Sequence, residues 1–313
     1  MTKIVTLSRP LPLPQIEAGG EAVDFVPVSC AADIPAEALA HISTAIDPVD
    51  CDFIAGMPDG QRLIANFGVG VDNIDLTAAA ARGIVVSNTP VVTEDTADLA
   101  FALILGAARR TGEGERYLRA GSWSAGEAPP ALGARVHGQT LGLVGFGPIA
   151  QAVGRRAKGF GMRVLYWNRT RREEAEAALG ATYLPDLAEM LGQSDFVSVH
   201  TALVPATRNL INAERIGQMR KGAILVNTAR GGIVDEGALC DALEAGHLAA
   251  AGLDVFATEP QVLPALMERQ DVLLTPHIGS ATAACRMDMA QCVLGNVVSF
   301  LESGRVLTPV KTG

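Results

Sequence analysis

The sequence predicts an α/β protein built on doubly wound parallel sheets, and three observations carry that expectation. Short apolar runs alternate with helical segments along the chain, the order that gives parallel strands joined by right-handed crossovers. The 313 residues are 49% hydrophobic and include 33 glycines, which suits sheets buried on both faces and linked by many tight turns. The stretch Thr140–Arg172 reads as apolar run, glycine turn, helical run and apolar run, a complete βαβ unit. A chain of this length has room for two domains of ordinary size.

Taken in order, Lys3–Leu7 is the first expected strand. Ala22–Val28, His41–Ile46, Arg62–Phe67 and Ile84–Ser87 follow, with Asp75–Arg82 among the helices between them. This first α/β unit lacks a G-x-G-x-x-G turn. Its notable loop is Asn66-Phe67-Gly68-Val69-Gly70-Val71-Asp72, where two glycines after a strand make either a plain turn or an anion nest of outward N–H groups. Asn88-Thr89-Pro90 marks a break. Thr93–Arg110 is predicted as one long helix, with Thr93 as its N-cap and Glu94, Asp95 and Asp98 near its positive end. A second, polar helix runs to Ala120, and Gly121–Gly138 forms an irregular connector. Trp123 within it suits a core, an interface or a pocket wall equally well.

The βαβ unit comes next. Its strands are Thr140–Val144 and Arg163–Trp167, and its helix runs to about Phe160. Gly145 permits the tight turn, Gly147 lets backbone approach a pyrophosphate, and Ala150 is small enough for the helix to pack on the strand. The helix N-terminus at Pro148 and Ile149 then presents unpaired N–H groups and a positive dipole end to phosphates. Further strands are expected at Phe196–His200, Ala223–Thr228, Ala250–Val255 and Val272–Thr275, with a helix at Glu236–Ala245 and a long final helix at Ser280–Ser303.

Composition excludes several classes. The 25 basic and 34 acidic residues leave a net charge of −9, which argues against nucleic acid or an anionic membrane as partner. The longest strongly apolar run, Leu99–Ala108, is too short to span a bilayer, and the N-terminus lacks a signal-peptide layout. Five cysteines without a C-x-x-C pair indicate neither a disulfide framework nor a zinc knuckle, so reduced thiols in a cytoplasmic protein and no metal are expected.

In an open parallel sheet, ligands bind beyond the carboxyl ends of the strands. Three titratable residues fall just past such ends: Arg230, Glu259 and His277. A guanidinium can grip a 2-oxo carboxylate and polarise its carbonyl, and a histidine can protonate the alkoxide that hydride addition creates. A buried glutamate beside the histidine favours the imidazolium and fixes the ring. Singly, each has an ordinary reading as a helix cap, a surface turn or a satisfied histidine. Three together at strand ends in a dinucleotide fold favour chemistry.

On these residues the chain resembles the D-isomer-specific 2-hydroxyacid dehydrogenase family over nearly its full length. The matching stretches are NFGVGVD (66–72), GFGPIA (145–150), NTARGGIVDE (227–236), DVFATEP (254–260) and PHIGSAT (276–282). The pattern is closest to the glyoxylate/hydroxypyruvate reductase branch. Formate dehydrogenases, relatives within the family, carry glutamine where Glu259 stands, which disfavours that branch. The resemblance implies a Rossmann cofactor domain over residues 95–283 and a smaller, flavodoxin-like substrate domain made of residues 1–94 and 284–313. It also implies Arg230 as substrate binder, His277 as acid/base with Glu259 as its partner, and the N–H groups of Val69 and Gly70 as holders of the substrate carboxylate. Thr228, Ala229, Asp254 and Gly279 complete the implied cofactor contacts. His200 is expected to give structural support, and His41, His137 and His247 to be surface or turn residues. The helix before Gly121–Gly138 and that connector resemble the family's dimer arm, so a homodimer is expected.

The nucleotide follows from one position. An NAD enzyme places an acid roughly 20 residues past the first glycine to accept bonds from the ribose hydroxyls. Here that place is Asn168, followed by Arg169, Thr170, Arg171 and Arg172. Asparagine removes the repulsion that a carboxylate would exert on a 2′-phosphate. Arg169 can pair with that phosphate and Thr170 can add a hydroxyl, while Arg171 and Arg172 are equally read as opening a solvated helix. NADPH over NADH is therefore expected, for reduction of a short 2-oxo acid such as glyoxylate or hydroxypyruvate. The alternative is a dinucleotide-sensing interaction protein of the corepressor type, against which the compact length speaks.

Overall fold

A computed structural model describes residues 2–126 and 131–311, which divide into two compact units. The first comprises residues 1–92 and 280–313, the second 93–279. The junctions lie at 92 and 279 instead of the expected 94 and 283. Thr93 and Glu94 already belong to the first helix of the second unit, and Ser280–Thr282 lead into the last helix, Ala283–Ser303, which packs on the first.

The first unit holds a six-stranded sheet of β1 (Lys3–Leu7), β2 (Ile16–Ala18), β3 (Glu21–Pro27), β4 (Ala40–Thr44), β5 (Leu63–Phe67) and β6 (Val85–Ser87), in the order β2-β3-β1-β4-β5-β6. Without the short edge strand β2, this is the flavodoxin-like order 2-1-3-4-5. Alternate strand residues face opposite sides. Val5, Ile42, Leu63 and Ala65 meet Val293, Leu294 and Val297 of the last helix, while Ile64 and Val86 meet Ile54, Ile74 and Ala79. The last helix is capped by Thr282, whose Oγ1 accepts from Cys285 N at 3.0 Å, and it stops at Gly304 in left-handed backbone (φ 71°).

The second unit holds a seven-stranded sheet of β7 (Thr140–Val144), β8 (Arg163–Trp167), β9 (Thr182–Tyr183), β10 (Phe196–Val199), β11 (Ala223–Asn227), β12 (Leu248–Leu253) and β13 (Val272–Leu274). Its order, β13-β12-β11-β10-β7-β8-β9, is the Rossmann order with one strand added, and its described pairings are all parallel. Leu141, Leu143, Val164 and Tyr166 face one core with the Thr93–Ala108 and Pro148–Gly159 helices. Val144, Leu165, Val197 and Leu225 face the other. The order reverses at β7, and the glycine turn leaves its carboxyl end.

Several expectations need correction. β2 is an unforeseen strand and pairs antiparallel with β3; β9 has only two residues. β12 begins at Leu248 and ends at Leu253, two residues before the expected limits at each end, because its ladder with β11 starts opposite Ala223. Thr93 is the first residue of its helix and not its cap. His41 is neither surface nor turn: it is fully buried in β4, where Thr6 Oγ1 meets its Nδ1 and Ser8 Oγ meets its Nε2, both at 2.9 Å. A strand buried on both faces gives its polar residue no way out, so the ring is satisfied internally. His137 does lie exposed in a turn, and His247 lies in a bend, where its Nε2 donates to Ile216 O at 2.9 Å. Part of the expected connector, residues 127–130, lies outside the described residues.

Candidate active site

The second unit gathers its chemistry at the carboxyl ends of β7, β8, β11, β12 and β13. The loop after β12 carries Glu259 and the loop after β13 carries His277. Glu259 Oε2 lies 2.6 Å from His277 Nδ1, and Glu259 Oε1 accepts from Phe256 N at 2.9 Å. Burial works against ionisation of Glu259. The bond to His277, the Phe256 N–H and the charges of His277 and Arg230 outweigh it, so the carboxyl is held below the ordinary carboxylate range.

His277 sits in left-handed backbone, φ 51°, and Asp254 keeps it there. The Asp254 carbonyl accepts from His277 N at 2.9 Å. Its carboxylate accepts from Thr275 Oγ1 (2.6 Å), Ile278 N (2.8 Å) and Gly279 N (2.9 Å). Both carboxylate oxygens of this buried residue, for which the family resemblance implies a cofactor contact, thus serve the turn that carries the histidine. Burial raises its pKa, and those donors oppose the rise.

Arg230 follows β11 and opens a short 3₁₀ turn, Gly231–Ile233. Asn227 shapes the loop: its Nδ2 donates to Arg230 O at 2.9 Å and its Oδ1 accepts from Ala229 N at 3.0 Å, so the Ala229 N–H is engaged within the loop. Glycine at 231 is required by close approach. A Cβ there would lie 1.9 Å from Phe256 C and 2.3 Å from Ala257 N, so the arginine loop is packed backbone to backbone against the loop of Glu259.

The cofactor residues fit a dinucleotide. Gly145 takes φ 93°, and a Cβ on it would lie 2.9 Å from the His200 backbone. Gly147 is the N-cap of the Pro148–Gly159 helix and offers no side-chain cap. Pro148 is at N1 with Ile149 next, and the space over Gly147 is open. The first-turn N–H groups of an uncapped helix are the donors that a pyrophosphate uses. Thr228 Oγ1 is buried and lacks a partner within the described residues, a donor suited to a ligand amide. His200 is braced by Ser198 Oγ at 2.8 Å, and burial lowers its pKa to about 3, so it serves as a neutral support.

Past β8, Asn168 Oδ1 accepts from Phe146 N at 3.4 Å and Asn168 Nδ2 donates to Thr170 O at 2.6 Å. Arg169 and Thr170 are exposed, and the Arg169 guanidinium has no acidic partner among the described residues. Arg171 differs. Its Nε and Nη2 donate to Glu176 at 2.8 and 3.0 Å, and it lies 5.8 Å over the Tyr183 ring. The sequence favours Arg169 over Arg171 and Arg172 as the phosphate's partner, and the structure commits Arg171 internally.

In the first unit, Asn66 Nδ2 donates to Gly68 O (3.3 Å) and Gly70 O (2.7 Å), and Asn88 Nδ2 donates to Val69 O at 2.8 Å. These bonds occupy the carbonyls of the glycine loop. The N–H groups of Val69 and Gly70 donate to no backbone carbonyl among the described residues, the pattern of an anion nest. Glu236 is the residue that sequence reasoning missed: it reaches Ala257 N at 2.6 Å, and no spacing in the chain announces that contact.

The profile of the D-isomer specific 2-hydroxyacid dehydrogenase, NAD binding domain, matches residues 101–279. The chain is 47% identical over 266 residues to a glyoxylate reductase of Korarchaeum cryptofilum, covering 83% of this chain and 79% of that protein. It is 50% identical over 244 residues to a glyoxylate reductase of Pyrococcus furiosus, covering 76% and 72%. Among solved structures, the NADPH-dependent glyoxylate/hydroxypyruvate reductase of Sinorhizobium meliloti, in complex with NADP and malonate, superposes with a TM-score of 0.89 at 33% identity, covering 99% of this chain and 97% of that one. The chain therefore belongs to the D-isomer-specific 2-hydroxyacid dehydrogenase family, in its glyoxylate reductase branch.

Proposed function

We propose that this oxidoreductase reduces a short 2-oxo acid, glyoxylate or hydroxypyruvate, to the D-2-hydroxy acid, with NADPH as its preferred reductant. The observation that carries the reading is the bonded His277–Glu259 pair, with the Arg230 charge acting on it, at the strand ends of a dinucleotide-type sheet. Nicotinamide, when bound, supplies the hydride. Arg230 offers its fork to the substrate oxygens and draws electron density toward the carbonyl oxygen. His277 turns Nδ1 to Glu259, which leaves Nε2 to give its proton to that oxygen. Glu259 fixes the ring through that bond. For the first unit, we keep the carboxylate-holding role that family membership implies for Val69 and Gly70.

The nucleotide preference rests on the neutral Asn168, the uncommitted Arg169 and the hydroxyl of Thr170. Gly145, Gly147, Pro148 and Ile149 hold the pyrophosphate, and Thr228, Ala229, Asp254 and Gly279 line the nicotinamide end. Steady-state rates with glyoxylate and each nucleotide test this. A higher kcat/KM with NADPH is expected; a higher value with NADH contradicts the nucleotide assignment, and no turnover with either contradicts the reductase. The relatives reported above are reductases, and no observation in either unit favours the nucleotide-sensing alternative. None of the described helices is long and apolar enough to cross a membrane, and we place the enzyme in the cytoplasm. We also infer a homodimer: the Thr111–Arg119 helix buries no residue of its own, and Leu118, Trp123 and Leu132 are 59%, 64% and 92% exposed.

A further inference from the structure

Glu236 stands at the start of the Glu236–Glu244 helix, where an acid is ordinarily explained by the helix dipole. Its contact is elsewhere. The N-cap Asp235 already accepts from Ala238 N at 3.0 Å, and the Glu236 carboxylate leaves its own helix to accept from Ala257 N at 2.6 Å. The bond is short, and it reaches across to another loop. Its surroundings make the placement costly. Glu236 is partly buried, the acids Asp235 and Glu259 both act on it, and no cation pairs with it among the described residues. A solvated surface acid has no reason to accept such a place.

What the contact achieves follows from the two loops it joins. The chain from Arg230 through the 3₁₀ turn to Glu236 is one short loop; Asp254 to Pro260 is the other. Gly231 brings their backbones together without room for a methyl group. Two successive N–H groups of the second loop are then taken by two carboxylates: Phe256 N by Glu259, and Ala257 N by Glu236. The first bond sets the glutamate that holds His277. The second ties the next peptide to the loop carrying Arg230.

We propose that Glu236 is a positioning residue for the reduction, a clamp that fixes the Glu259–His277 pair relative to Arg230. The inference rests on the reductase reading above. Its requirement is reach and an acceptor oxygen, not charge: glutamine at 236 keeps both, aspartate keeps the charge but is one methylene too short, and alanine keeps neither.

The test is steady-state glyoxylate reduction with NADPH by the full-length wild type, Glu236→Ala, Glu236→Asp and Glu236→Gln, with thermal unfolding of each. Misplacing a catalytic group by about 1 Å can cost on the order of a hundredfold, so kcat should fall about ten- to a hundredfold in Glu236→Ala and Glu236→Asp. The Michaelis constant for NADPH should stay within about twofold of wild type, and Glu236→Gln should recover most of the lost kcat. A purely structural role would lower the unfolding temperature of all three without this split. Undiminished kcat in Glu236→Asp, or loss in Glu236→Gln equal to that in Glu236→Ala, overturns the clamp while leaving the reductase assignment in place. Should Glu236→Ala fail to fold, the comparison of aspartate with glutamine still decides. A wild type that reduces no 2-oxo acid overturns both together.

Discussion

His277 is held in a backbone conformation that costs a non-glycine residue about 1–3 kcal/mol, and the bonds to Asp254 are what maintain it. A side chain held this way points where the fold dictates, and here it points at Glu259. Reduction consumes the proton of His277, so the reductive rate should fall as the pH rises. Glu259→Gln exchanges the carboxylate that holds His277 Nδ1, so kcat should fall; an undiminished kcat in that variant would break the proposed pairing. At the nucleotide end, Arg169→Ala should raise the Michaelis constant for NADPH at least tenfold, about 1.4 kcal/mol, and barely change that for NADH. Equal effects on both nucleotides would move the determinant elsewhere. The placement of Arg230, Glu259 and His277 past strand ends is legible in the chain, because each follows an apolar run. His41 is not. It stands among Ala40, Ile42 and apolar neighbours in a strand without a polar face, and its partners Thr6 and Ser8 come from another strand and the loop after it. A long-range hydrogen bond leaves no local mark in a sequence.

At the level of elements, the site depends on loops packed closer than side chains allow. Gly231→Ala places a methyl group inside the Phe256 backbone. Overpacking of this kind typically costs about 1–3 kcal/mol, so that variant should unfold at lower temperature and lose kcat through displacement of Arg230 and Glu259 together. Wild-type activity and unfolding temperature in Gly231→Ala would show that the two loops are not locked. The strands that the sequence reveals are those with three or more apolar residues between turns. β2 and β9 have three and two residues and pair at sheet edges, too short to set up a period. β12 was misplaced for a different reason. Its run Leu248-Ala249-Ala250-Ala251-Gly252-Leu253 passes into Asp254-Val255-Phe256 without an apolar break, and only the ladder with β11 decides where the strand ends. Glu236 belongs to the same class as His41, since its partner lies in another loop.

The whole molecule carries an acid sensitivity in its buried histidines. Burial lowers the pKa of His41 to about 4 and that of His200 to about 3, against 6.5 for a free ring. Between pH 6.5 and 4 the unfolded chain therefore binds protons that the folded chain refuses, and stability falls as the pH falls. Glu259, whose folded pKa is depressed, adds stability that is present above its unfolded pKa and lost as the pH drops through the folded value. His41→Asn should lower the unfolding temperature at neutral pH and flatten its decline between pH 6.5 and 4; a decline parallel to that of wild type would contradict the assignment. For assembly, light scattering at micromolar concentration should give the mass of a dimer, and a mass near 32.6 kDa would refute it. The central claim is that this chain reduces a 2-oxo acid with His277 as the proton donor. Its most direct test is kcat for hydroxypyruvate reduction with NADPH, measured in wild type and in His277→Ala. Wild type should turn hydroxypyruvate over to the D-hydroxy acid, and the variant should lose kcat on the order of 10²–10⁴-fold; a variant that retains wild-type kcat would rule out His277 as the donor.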